Sequence, residues 1–251
     1  MPTIITDDVR FQAARSAVLS ESVAWDGIGT LSEKSLHKML KLYLEPNIEN
    51  HEVAYMGSIV DIKTADGIFE VQTRGYEKLV PKLRRILPTS PVTVVCPLAH
   101  EKYMRWLDRE TGEMTERRKS PKRENAFDAF RMLFGIRELI THPNLHVRLV
   151  YMQVEDFRAL DGWDKTRKRG SNRVERIPTR IIREEVISTP LDYLGYLPDT
   201  IGAEFTAPEF SRAIKRTSRY TFYVLKLLVA TGAVREVGKR GRATLYAKAE
   251  I

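Results

Sequence analysis

Residues 57–73 read GSIVDIKTADGIFEVQT. Apolar and polar residues alternate on both sides of Asp66-Gly67, and such a dipeptide between alternating runs is a strong β-hairpin signal. With Asp66-Gly67 as the loop, Ala65 lies opposite Ile68, Asp61 opposite Gln72, and Lys63 opposite Glu70. Opposed residues of an antiparallel pair share a face. This register gathers Asp61, Lys63, Glu70 and Gln72 on one face and Val60, Ile62, Phe69 and Val71 on the other, and a one-residue slip would bury the charges. The polar face has two readings. It is either a solvated surface with a Lys63–Glu70 cross-strand ion pair, or a carboxylate pair supplying oxygen ligands to a hard cation such as Mg²⁺.

The hairpin sits in a mixed α/β pattern. Leu36, Leu40, Tyr43 and Leu44 recur at helical spacing over 30–44, and Pro46 stops that helix. Strands are expected over 53–73, a helix over 74–87 with Pro81 in or opening it, and a buried strand in PVTVVCPL at 91–98. A hairpin around Thr111-Gly112 over 103–118, an amphipathic helix over 126–140, a strand over 145–154 and a basic, turn-rich segment over 161–180 follow. Residues 1–29 read as an N-terminal arm with room for one short helix, 30–185 as the main domain and 186–251 as a second small domain.

At 251 residues and 43% hydrophobic content the chain can bury a real core. Its one cysteine, Cys96, excludes an intramolecular disulfide and reads as a buried thiol. No apolar run approaches a membrane span and no signal-peptide pattern opens the chain, so a cytoplasmic protein is expected. Of the net charge of +8, the segment 212–242 carries nine Lys/Arg against one acid, and 165–180 carries seven against one. Such blocks point to a polyanion, most simply nucleic acid, or to a solvated surface. His37, His51, His100, His142 and His146 share no metal-ligand spacing, which argues against zinc. Walker, GxGxxG and GxSxG motifs are absent, which disfavours ATP-driven, Rossmann-type and serine-hydrolase chemistry.

Over about residues 30–98, the order helix, strand, Asp-bearing strand, turn, strand ending Glu70-Val71-Gln72, helix, strand resembles the PD-(D/E)xK nuclease superfamily. The resemblance implies a restriction-endonuclease-like mixed sheet flanked by helices, DNA as substrate and Mg²⁺ or Mn²⁺ as cofactor. Asp61, Glu70 and the Val71 carbonyl would hold the metal. Glu33 stands where many members carry a further acidic ligand, and Thr30-Leu31-Ser32-Glu33 is equally a helix capping box. Gln72 departs from the family's lysine. It would orient the attacking water, and Lys78 or Lys82, at i and i+4 on the next helix, would supply the missing charge. An inactive, DNA-binding regulator or assembly factor on the same scaffold is the alternative implied by Gln72.

The C-terminal part reads as helix, turn, helix and basic hairpin. Thr206-Ala207-Pro208-Glu209 is a capping box, Thr217 or Ser218 caps a second helix, and Gly232 suits its C′ position. Two short strands, 233–237 and 243–247, flank Gly238-Lys239-Arg240-Gly241. Residues 190–250 thus resemble a winged helix-turn-helix domain. In the usual docking Arg219, Thr221 and Lys226 would face the groove, with Lys239, Arg240 and Arg242 on phosphates. The second helix is apolar nearly all round, which leaves two destinations for it, the main domain or a second copy in a homodimer. Lys165, Arg167, Lys168, Arg169 and Arg173 form a basic loop suited to a phosphate backbone, with Trp163 beside it.

Overall fold

The computed structural model describes residues 3–4, 6–21, 35–108, 111–159 and 172–250. Its main element is a mixed eight-stranded sheet with helices on both faces. The strands are β1 (Thr3–Ile4), β2 (His51–Tyr55), β3 (Ser58–Thr64), β4 (Gly67–Val71), β5 (Val92–Leu107), β6 (Arg118–Lys119), β7 (Leu145–Ala159) and β8 (Asn172–Ile187). They run in the order β1-β8-β7-β5-β4-β3-β2, with β6 on β5. The β4–β5 and β5–β7 pairs are parallel and the others antiparallel.

Alternation along β5 separates the two layers. Val95 and Ala99 face a cluster with Phe11 of α1 (Asp8–Glu21) and Leu36, Leu40 and Tyr43 of α2 (Ser35–Leu44). Val94, Cys96 and Leu98 face the other cluster, with Leu83 of α3 (Val80–Ile86) and Phe130 of α4 (Ala126–Leu133). The segment read as an N-terminal arm therefore carries a helix with Phe11 in the core, and β1 pairs with β8 at the sheet edge. Pro81 opens α3 rather than kinking a longer helix. The predicted helix over 126–140 gives way after Leu133 to a 3-10 turn, Phe134–Leu139, with Ile136 off helical geometry.

Two expectations for the large sheet need correction. The hairpin pairs Ile62 with Phe69, Lys63 with Ile68 and Thr64 with Gly67. The loop is thus Ala65-Asp66, and Asp61 does not lie opposite Gln72, nor Lys63 opposite Glu70. Gly67 serves the next strand rather than the turn. It has φ +139°, the Pro91 carbonyl accepts from the Ile68 N–H, and a Cβ on Gly67 would come within 2.9 Å of that carbonyl oxygen. Second, residues 172–180 of the segment read as turn-rich continue β8, antiparallel to β7.

The C-terminal part contains a 3-10 turn (Pro190–Tyr196), β9 (Glu204–Thr206), α5 (Ala207–Ala213), α6 (Ser218–Ala230), β10 (Val234–Arg240) and β11 (Ala243–Lys248). The strands form a sheet ordered β10-β11-β9. The capping box is present at α5, where Glu209 accepts from the Thr206 N–H at 2.6 Å, and Gly232 has φ +78° after α6. β10 runs through the stretch read as its connecting loop, with a bulge between Glu236 and Gly238, and the turn is Gly241-Arg242. One buried cluster extends from Val60 of the large sheet through Val224, Leu225 and Leu228 of α6 to Tyr246.

Candidate active site on strands β3 and β4

The ladder between β3 and β4 stops at Ile62. One residue further, Asp61 accepts the Val71 N–H on Oδ2 at 2.7 Å, so a side chain takes over from the strand pairing. Continuing the register brings Asp61 level with Glu70, and two carboxylates then stand on adjacent strands. Glu70 is 2% exposed. Such a pair is stable only if something offsets the repulsion and the desolvation.

Two basic side chains supply that offset. Lys82 of α3 donates to both Glu70 oxygens, at 3.0 and 2.8 Å, and to the Ile59 carbonyl at 2.7 Å. His37 of α2 places Nε2 at 3.1 Å from Asp61 Oδ2 and 2.9 Å from the Val71 carbonyl oxygen. A carbonyl only accepts, so this contact assigns the proton to Nε2. One turn along α2, Lys41 pairs with Glu52, whose backbone is left-handed at φ +51°. That conformation costs a non-glycine residue about 1–2 kcal/mol, and it falls on β2 between the pairs that flank Asp61.

The surroundings separate the two carboxyls. Burial pushes Asp61 up, but His37, the Val71 N–H and the Lys82 charge outweigh it and hold the group below the usual carboxylate range. Burial and then the Asp61 charge push Glu70 up to about 7, against the pull of Lys82. Divergence of this kind marks one group that stays ionised beside one that exchanges a proton near neutral pH.

A stability signature follows. Unfolded, Glu70 loses its proton near its ordinary value of 4.5; folded, it keeps it to about 7. The folded state therefore binds more protons in that window, and stability falls as pH rises through it. Metal-free protein in EDTA should lose about 1–3 kcal/mol between pH 5 and 8 from this group. Thermal unfolding across that range should show a shallower fall in Glu70→Gln. Parallel wild-type and variant curves would refute the assignment.

The other expected residues divide clearly. Lys82 joins the site, whereas Lys78 is exposed and makes none of these contacts. The Gln72 amide donates to the Arg74 carbonyl, so its side chain is engaged away from the carboxylates. Glu33, Trp163, Lys165, Arg167, Lys168 and Arg169 lie outside the described residues. His37 was missed, because nothing in histidine spacing reveals which strand a helix will cover. Among the described residues no group of three or more His, Cys, Asp or Glu side chains is placed to hold a metal ion. The oxygens that do converge are one carboxylate and one carbonyl at His37, with Glu70 beside them.

The basic residues are dispersed. Thr221, expected in a groove, is 1% exposed inside the fold. Lys226 pairs with Glu236 at 2.7 Å, and Arg240 with Glu209 at 3.3 Å. Lys239, Arg242 and Arg173 are exposed. Arg219 is exposed at the start of α6. Of its two destinations, α6 takes the main domain: Tyr223 packs edge-on against Phe134 at 5.1 Å, and Arg216 pairs with Asp128 of α4 at 3.1 Å.

A family model described as a domain of unknown function (DUF8091) matches residues 34–188. The chain belongs to this family. The DUF8091 match begins at the head of α2 and ends just after β8, so it contains His37, Asp61, Glu70 and Lys82 and leaves out the C-terminal helices and hairpin. A relative from Treponema pallidum (strain Nichols), named "Uncharacterized protein", is 31% identical over 222 residues, covering 88% of this chain and 87% of its own. No solved structure matches the chain. No described helix is long and apolar enough to cross a membrane.

Proposed function

We propose that this DUF8091 protein is a metal-dependent endonuclease of the PD-(D/E)xK type acting on DNA. The observation that carries the reading is the carboxylate pair Asp61 and Glu70 on adjacent strands, with the Val71 carbonyl turned to the same point as Asp61 and Lys82 on Glu70. This donor set fits a hard cation, since every ligand is an oxygen. Mg²⁺ or Mn²⁺ would be held by Asp61, Glu70 and the Val71 carbonyl. Such an ion supplies a more acidic bound water and takes up charge on the phosphate.

The chain's own groups do the rest. Lys82 comes from the helix after β4 and brings to the carboxylates the charge that Gln72 lacks. His37 fixes Asp61 and the Val71 carbonyl. Glu70 can accept or release a proton near neutral pH. The C-terminal order of 3-10 turn, strand, two helices and hairpin supports a winged-helix module whose second helix is spent on packing.

A second reading has its own support. His37 and Lys82 already satisfy the oxygens a metal would need, and the Gln72 amide is engaged by Arg74. A non-catalytic DNA-binding regulator or assembly factor on the same scaffold would look like this. Supercoiled plasmid incubated with Mg²⁺, Mn²⁺ or EDTA separates the two. The nuclease reading expects metal-dependent nicking that falls about 10²-fold or more in Lys82→Ala. Salt-sensitive plasmid binding without nicking in either metal would transfer the assignment to the scaffold reading.

A further inference from the structure

A cleft of about 690 Å³ lies where the 3-10 turn Tyr76–Leu79, the α4 segment and the start of α6 meet. Arg74, Arg131, Arg137 and Arg219 line it, against a single carboxylate, Glu77. All four arginines are exposed, and among the described residues none of them joins an ion pair. Four like charges around one opening repel one another. A polyanion would relieve them, and arginine forks suit phosphate oxygens.

The walls are shaped for contact. Arg137 lies over the Phe134 ring at 4.2 Å and Arg131 over Tyr220 at 5.5 Å, which pre-orients both guanidinium planes. A Cβ on Gly135 would sit 2.7 Å from the Glu77 nitrogen, so the two walls touch backbone to backbone at the base.

The cleft also continues the strand that carries the carboxylate. The Tyr76 hydroxyl donates to the Gln72 carbonyl at 2.6 Å, and the Gln72 amide reaches the Arg74 carbonyl. Four residues separate Glu70 from Arg74, which keeps their Cα atoms within about 14 Å. A strand with one phosphate on Arg74 would have another at Asp61 and Glu70 only a few nucleotides away.

We infer that this arginine cleft, and not the basic hairpin, seats the phosphodiester backbone of the nucleic-acid strand. The strand's destination at the carboxylates rests on the proposed nuclease reading; the binding itself needs no cleavage.

Fluorescence anisotropy of the full chain in EDTA, with a labelled 20-base-pair duplex and a 20-nucleotide single strand, tests it. The double variant Arg131→Glu/Arg219→Glu should weaken binding by at least about 10-fold and lower the salt slope by about two. Lys239→Glu/Arg242→Glu, with the same charge change on the hairpin, should shift it by less than about 3-fold. Arg131→Ala/Arg219→Ala is the fallback where the charge reversal unfolds the chain, with a smaller loss expected. Equal losses in the cleft and hairpin variants, a silent cleft variant, or no binding by wild type would each overturn the inference. So would displacement of the oligonucleotide by micromolar ATP, since the cleft would then take a small phosphate compound. Cleft-dependent binding without plasmid nicking would remove the nuclease reading and keep this one. Nicking that survives the cleft variants would do the reverse.

Discussion

Asp61→Asn should lower plasmid nicking by at least about 10³-fold while changing DNA affinity by less than a few-fold. The substitution keeps the shape and an oxygen that can still accept the Val71 N–H, now at 2.7 Å from Oδ2. It removes the negative charge and turns the other carboxylate oxygen into an NH₂ donor. That charge is the one the surroundings protect, because His37, Val71 and Lys82 together hold the carboxyl ionised despite its burial. Under the proposed mechanism it is also the charge a Mg²⁺ or Mn²⁺ ion would meet. Binding should persist because the arginine cleft lies on other elements. The check is a time course of nicking in Mg²⁺ and in Mn²⁺, beside anisotropy on the same preparations. Retained nicking in the variant would remove Asp61 from the site. Loss of both nicking and binding, with a lowered melting temperature, would mean that Asp61 serves folding instead.

The hairpin was legible because alternation and an Asp-Gly pair are local features. Its register was not, and the reason is physical. The turn signal assigned Gly67 to the loop, whereas Gly67 is the place where the Pro91 carbonyl approaches too closely for any side chain. A non-local packing demand thus outweighed a local turn preference. The expected register set Asp61 opposite Gln72, whereas the register in the structure, continued one residue past Ile62, brings it level with Glu70. The outer halves of β5, β7 and β8 were hard to read for a related reason. There both faces carry charged residues, such as Arg105, Arg158 and Arg176, so the apolar alternation that reveals a half-buried strand is missing. α6 was readable as packed on both sides because its apolar residues nearly encircle it. The partner it packs on, α4, required the fold. His37 belongs to the same class, since its role exists only once α2 lies across β3 and β4.

Besides its apolar contacts, α2 is held there by a buried polar group, whose loss should give a large stability effect. Glu184 of β8 is fully buried. It accepts the Tyr43 hydroxyl at 2.6 Å and the Arg148 Nε at 2.6 Å. Burial and the bond to this carboxylate push Tyr43 up to about 12, as expected for a phenol whose proton is claimed by an anion. Tyr43 lies on the helix that carries His37, so this contact ties the helix to the sheet behind the site. In Glu184→Ala a guanidinium is left under the helix without its counter-charge and a hydroxyl without its acceptor. Breaking one side of a buried pair costs about 3–5 kcal/mol, which corresponds to about 6–20 °C in melting temperature for a chain of this size. Tyr43→Phe removes only the hydroxyl and should cost about 1–2 kcal/mol. Removing both charges is a different matter, because apolar residues of similar volume can replace a buried pair at little net cost. Glu184→Leu/Arg148→Met should therefore recover most of the stability lost in Glu184→Ala. If the double variant melts as low as the single one, the carboxylate does more than balance Arg148, and the Tyr43 hydrogen bond is then the contact that keeps α2, and with it His37, over Asp61.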